Sequence, residues 1–192
     1  MSLIPADAPA PVLPRRRQVL FGTAFAAAGW AIFILTLVGL YLEARSGQRS
    51  LWLSENNIPL TQPNVQFGTL LIGAVTAQWA VYSMRRDDRG HTYLALAITM
   101  LTGLAFINQT WFLLGEIGLM MSQAEGPYFY GVVGAHLAMV GAAILFLAVV
   151  TLRALGGNFS SRNTDAVSSA ALFWHVNVAL YSVLWLAVYI MK

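Results

Sequence analysis

Five stretches of this chain, about 19–42, 65–84, 92–114, 128–152 and 167–191, run apolar for 20 residues or more and take up nearly everything after Arg17. A helix needs roughly 20 such residues to cross a bilayer core. A lone segment in lipid must satisfy its own backbone hydrogen bonds, which selects helix for each stretch. Composition points the same way. Apolar residues make up 58% and charged residues 10%, where a water-soluble domain carries about 25% charged. The sequence therefore predicts an all-α polytopic membrane protein, a bundle of five transmembrane helices. The first stretch is too long for the apolar region of a signal peptide and lacks a small-residue cleavage site, so it is read as a helix of the mature protein.

Lys and Arg in short connections mark the cytoplasmic side. With the N-terminus inside, Arg15, Arg16, Arg17, Arg85, Arg86, Arg89, Arg153 and Arg162 fall inside, and only Arg45, Arg49 and Lys192 fall outside. The connection from Gly115 to Pro127 carries Glu116 and Glu125 and no basic residue, as an external loop should. The expected topology is N-in, C-out. Because the basic residues flank membrane segments, the net charge of +3 reflects topology rather than a nucleic-acid surface. The chain has no cysteine, which excludes disulfides, thiolate metal sites and thiol catalysis.

Residues 1–14 hold four of the seven prolines. Residues 1–17 read as a disordered cytoplasmic tail, followed by one membrane domain over 18–192. The external loop Glu43–Asn64, with Pro59 and Pro63, is too irregular for a separate domain. Helices in lipid gain little from mutual apolar burial, so small residues must let them approach. The fourth segment offers Gly134, Ala138 and Ala142 at four-residue spacing, with Gly131, Ala135 and Gly141 beside them. The first has Ala24 and Ala28 with Gly22 and Gly29, and the second has Gly73 and Ala77. These ladders predict a tight bundle.

Polar residues at membrane depth are functional candidates: Gln78, Asn108, Gln109, His136, His175 and Asn177. Imidazoles at His136 and His175 suggest two axial ligands of one haem, as in a membrane b-type cytochrome. Depth argues against it. Each lies about eight residues inside its span, but from opposite faces, which separates their levels by roughly 10–15 Å at 1.5 Å per residue. No Asp, Glu, Lys or Arg lies mid-span to build a proton pathway. The remaining reading is that each histidine hydrogen-bonds to a neighbouring helix or a partner. His91, in the turn RRDDRGH, is expected to be solvated.

The order of the segments resembles subunit III of the haem-copper oxidases, the cytochrome c and quinol oxidases. That family shows a helix closing in G-x-x-F-x-x-x-Q, an acidic external loop, an F-Y-x-x-x-G-x-H helix and a last helix opening on W-H-F. Here GLAFINQTW at Gly103–Trp111, with Gln109 three rather than four residues after Phe106, YFYGVVGAHLAMVG at Tyr128–Gly141, and ALFWHVNVALYSVLWL at Ala171–Leu186, with W-H-V for W-H-F, stand in that order. Upstream, GTAFAAAGWAIFILTLVGLYLEAR is similar to the family's first shared helix, and LLIGAVTAQWAVYSMRRDDR to the next helix with its basic turn. The resemblance covers about residues 20–191 and fits the family's short, five-helix form.

The resemblance implies a non-catalytic accessory subunit of an aerobic oxidase. Such a subunit packs against the catalytic subunit I and other oxidase subunits, holds phospholipids, sustains activity and sits in a bacterial inner membrane. It implies that haem and copper lie in the partner, and that His136 and His175 match family histidines that ligate no metal. Four ionisable positions of the family pattern are neutral in this chain. Trp30 replaces a buried Glu of the first shared helix, Phe112 an acidic residue after Gln109, and Met139 a second histidine. The acid after W-H-F is lost in the region of Asn177–Val178. Expected structural, interface or lipid-contact residues are Trp30, Gln78, Gln109, Gly134, His136, Ala138, Trp174, His175 and Asn177. An accessory protein of a nitric-oxide-reducing complex would share these features.

Overall fold

A computed structural model describes residues 17–47, 52–53, 58–161 and 163–191. Among these residues five long helices follow one another: α1 (Gln18–Ser46), α2 (Thr61–Arg85), α3 (Arg89–Glu116), α4 (Gly126–Leu155) and α5 (Asp165–Leu184). The last continues as π-helical turns over Trp185–Ile190. Each is long and apolar enough to cross a membrane, and the chain is a multi-pass membrane protein. The tail expected over residues 1–17 lies outside the described residues except for Arg17, as do Arg49, Arg162 and Lys192.

The helices overrun their apolar segments where local chemistry lets the backbone continue. α1 runs on through Glu43–Ser46 and α2 starts at Thr61, so the connection expected over Glu43–Asn64 shortens at both ends. Pro63 stands in the first turn of α2, where a backbone N–H has no helical acceptor and its absence costs little. Pro127 uses the same allowance in the first turn of α4. α3 starts on a side-chain cap: Asp88 accepts the His91 N–H at 3.1 Å.

α5 packs against α1, α2 and α4, while α2 and α3 form the most extensive pair. Where α2, α3 and α5 meet, Trp174 is fully buried in a slot made by two glycines. A Cβ on Gly73 would stand 2.5 Å from Trp174 Cζ2 and 2.6 Å from Thr102 Oγ1. One on Gly103 would stand 2.8 Å from Ile144 Cγ1 and 3.0 Å from Trp174 Cη2. The Trp174 indole N–H donates to the Leu70 carbonyl at 3.3 Å.

The small-residue ladders act differently from expectation. Gly73 and Ala77 are buried as a packing role requires, but Gly134 and Ala138 of α4 and Gly22, Ala24, Ala28 and Gly29 of α1 are exposed. A Cβ on Gly131, Gly134 or Gly141 would meet nothing within 4 Å. The reason is phase. His136, Met139, Val140, Ala143, Leu147 and Val150 form the face of α4 that is buried against its neighbours, and the ladder lies on the opposite face.

Carboxylates tie the connections at the end that carries the α2–α3 turn. Asp87, in the left-handed region at φ 57°, accepts the Ser161 N–H from the α4–α5 connection. Asp165 accepts the Val19 N–H at 3.2 Å, joining the starts of α5 and α1. At the other end Trp52 and Leu53, from the shortened connection, are buried. The Trp52 indole donates to the Tyr41 hydroxyl at 3.1 Å, and the Leu53 N–H donates to Glu125 Oε1 at 3.2 Å. Tyr128 packs beside Trp52 with ring centroids 6.1 Å apart.

Candidate functional site

His136 sits on the buried face of α4, with 1% of its surface exposed. Its Nε2 contacts the Asn177 carbonyl of α5 at 3.1 Å. A carbonyl only accepts, so Nε2 carries the proton and donates. Phe106 of α3 stands edge-on to the imidazole at 5.5 Å, and Tyr181 of α5 lies 5.3 Å away. Phe106 and Tyr181 are perpendicular to one another at 5.2 Å, which completes a three-ring cluster drawn from three helices.

α2 joins this cluster through polar groups. The Tyr181 hydroxyl stands 2.7 Å from Gln66 Oε1 and 3.2 Å from the Pro63 carbonyl. The Gln66 amide donates to Thr110 Oγ1 at 3.3 Å, and that hydroxyl donates to the Phe106 carbonyl at 2.8 Å. Four helices are therefore linked by one buried network. In a medium without water, an unmet polar group costs several kcal/mol, on the order of the desolvation penalty, so this network fixes the relative register of the helices. Sequence reading missed Gln66, Phe106, Thr110 and Tyr181. Gln66 could have been found as an amide near the start of an apolar span; Tyr181 carried no signal beyond its type.

The other expected residues occupy distinct places. Asn177 is buried; its amide donates to the Phe173 carbonyl at 3.1 Å, while Oδ1 lacks a partner among the described residues. Trp174 fills the glycine slot. Gln109 is half-buried and exchanges contacts with Thr69 Oγ1 at 3.2 and 3.4 Å. Asn108 is exposed. Trp30 is half-buried, with an enclosed indole N–H that has no partner among the described residues. Gly134 and Ala138 face outward. His175 and Gln78 form a separate pair, in which His175 Nε2 lies 3.4 Å from Gln78 Oε1 on the outer surface where α5 meets α2.

Outside the spans, His91 is exposed as expected but is not without a partner: its Nδ1 stands 2.6 Å from Asp88 Oδ2. Asp88 accepts from both the backbone and the ring of His91, and these bonds hold its carboxyl below the usual carboxylate range. Among the described residues no three His, Cys, Asp or Glu side chains converge as a metal site would require. The depth difference expected between the two histidines does not hold, because His136 reaches Asn177, two residues or about 3 Å along α5 from His175. They are separated instead by direction, His136 being engaged with α5 and His175 with α2 on the outer surface. The buried polar groups tie the helices to one another.

Comparison with known proteins agrees with the geometry. The family model for cytochrome c oxidase subunit III matches residues 25–192. Cytochrome c oxidase subunit 3 of Rattus norvegicus is 32% identical over 133 residues, which is 69% of this chain and 49% of the relative. The Sus scrofa protein gives the same figures, and that of Petromyzon marinus is 32% identical over 135 residues, 69% of this chain and 49% of its own. The chain thus spans about half the length of the curated relatives it matches. With the motif order, the five-helix bundle and a match over most of its length, the chain belongs to the cytochrome c oxidase subunit III family, whose members carry no metal centre.

Proposed function

We propose that the chain is a non-catalytic accessory subunit of an aerobic haem-copper terminal oxidase, seated in a bacterial inner membrane with its N-terminus inside. Haem and copper belong to the catalytic partner. The observation that carries this reading is the uncovered face of α4. Gly131, Gly134, Ala138 and Gly141 present a flat surface that the chain's own helices leave open. Close packing of small residues is the main way that helices recognise one another in lipid. Gly134 and Ala138 are the centre of the proposed contact with the catalytic subunit.

His136 and Asn177 act from inside by keeping α4 and α5 in register, and Trp174 holds α5 on α2 and α3, so that this face stays flat. Phospholipids cover the remaining apolar exterior, such as Phe25 and Phe33 of α1. The excess of arginine at the end carrying the α2–α3 turn supports the orientation, with Arg17, Arg85, Arg86, Arg89 and Arg153 all exposed there.

The test is purification of the tagged chain from its native membrane in mild detergent, with a visible spectrum and identification of the proteins that accompany it. Haem signals that arrive with a haem-copper subunit and leave when this chain is isolated are expected. A Gly134→Leu/Ala138→Leu variant should accumulate normally yet lose that partner. A chain that never brings a haem-copper subunit sinks the proposal.

A further inference from the structure

The Gln78–His175 pair lies where a membrane protein has most reason to avoid polar groups. Gln78 is seven residues inward of Arg85, the last residue of α2, and His175 is ten residues inward of Asp165, the first of α5. At 1.5 Å per residue these positions are roughly 10 and 15 Å from the helix ends, below the reach of lipid phosphates and esters. Gln78 is nevertheless exposed and His175 half-exposed.

Their mutual contact uses one group on each. Gln78 Oε1 accepts, so His175 Nε2 donates and Nδ1 of the neutral ring is an acceptor. The Gln78 amide keeps two donor hydrogens. A donor and an acceptor are therefore presented outward together, and lipid tails can meet neither.

The surroundings have the shape of a helix seat. On α2, Leu71, Val75, Gln78 and Tyr82 are exposed at three- and four-residue spacing. On α5 and its π-helical extension, His175, Ala179, Val183, Leu186 and Ile190 continue a matching stripe. One turn from the polar pair the residues are small: Ala74 next to Gln78 and Ala179 next to His175. The polar pair thus lies toward the Arg85–Asp165 end of an apolar strip, and its nearest neighbours permit close backbone approach.

We infer that the α2–α5 surface seats a transmembrane helix from another subunit, one that presents a neutral Ser, Thr, Asn or Gln side chain to Gln78 and His175. This contact is distinct from the α4 face and rests on the reading of the chain as a complex subunit. A hydroxyl or carboxamide can both donate and accept, which matches what the pair offers. A charged side chain would be left without a counter-ion at this depth.

Photocrosslinking in the intact complex tests this. A benzophenone amino acid replaces Val75 in one variant and Leu145 of α4 in another, both large and exposed, each variant expressed in the native membrane. The Val75 probe should yield a single polypeptide adduct whose linked peptide maps to an apolar span, with Ser, Thr, Asn or Gln within one turn of the linkage. Gln78→Leu/His175→Leu in that background should weaken retention of that polypeptide by about three- to fifteenfold, from typical interhelical hydrogen-bond strengths, while the Leu145 adduct is unchanged. If the double variant is poorly folded, the linked peptide from the otherwise native chain decides alone.

Adducts only to acyl chains, to a second copy of this chain, or to a span without such a residue would overturn the inference. A Leu145 probe that still captures a haem-copper subunit would then leave the proposed function standing. Loss of that subunit in every variant, and in the unsubstituted chain, would instead count against the function itself.

Discussion

Replacing Gly73 by alanine adds one methyl group to a place already occupied. The new Cβ would stand 2.5 and 2.8 Å from two atoms of the Trp174 ring and 2.6 Å from Thr102 Oγ1. Trp174 cannot simply swing away, because it is fully buried and its indole is bonded to the Leu70 carbonyl. Overpacking of this kind costs about 1–3 kcal/mol, and the better helix propensity of alanine offsets up to about 1 kcal/mol. With the full offset the expected net loss is up to about 2 kcal/mol. The same substitution at Gly134 meets no atom within 4 Å, so only the propensity gain remains and stability should hold or rise by up to about 1 kcal/mol. Unfolding of the chain in dodecyl maltoside on titration with sodium dodecyl sulfate, followed by tryptophan fluorescence, reads both. Trp174→Phe removes the crowded part of the ring and should make Gly73→Ala less damaging than it is alone, a coupling measurable in a double-mutant cycle. Equal effects of alanine at Gly73 and Gly134, or no coupling to Trp174, would refute the slot.

His136→Leu removes the bond to Asn177 and should cost about 0.5–1.5 kcal/mol in the same titration, with haem content of any purified complex falling only as far as the folded chain does. Trp52→Ala or Glu125→Ala should release the segment around Leu53, seen as faster cleavage of the α1–α2 connection by added protease, with the helices intact. For Asp88 the sign follows from its lowered pKa. Its capping of α3 is fully present above the usual carboxylate value and is lost as pH falls through the lower folded value. Amide exchange at His91, normalised to its intrinsic rate, should therefore rise on acidification in the native chain, and much less steeply in Asp88→Asn.

Hydrophobic run length located all five helices, because in lipid a span must be apolar for its whole length whatever it packs against. What the sequence did not disclose was rotation. The ladder at Gly134 and Ala138 has the same spacing as one that packs internally, and only the position of α3 and α5 around α4 turns it outward. Gly73 was legible as a small residue but not as half of a tryptophan slot, since Trp174 is 101 residues away and Gly103 belongs to a third helix. His136 was legible as a buried polar residue with a partner on another helix, but the partner is a backbone carbonyl, which no side-chain pattern can mark. Trp52 and Leu53 were hidden for the same kind of reason, because an irregular connection reads as solvent-exposed until its aromatic ring finds Tyr41.

The three-residue turn between α2 and α3, Arg86–Asp88, bears on how the protein is made. With so little chain between them, the two spans cannot choose their directions separately as they leave the insertion machinery. They must enter as one hairpin, and the arginines around the turn set a single orientation for both. The α2 span is the least apolar of the five and carries Gln66 and Gln78, so it has the weakest claim to insert unaided. Biogenesis of this protein should therefore be most sensitive to lengthening that turn, with α2 left outside the membrane while the other spans insert.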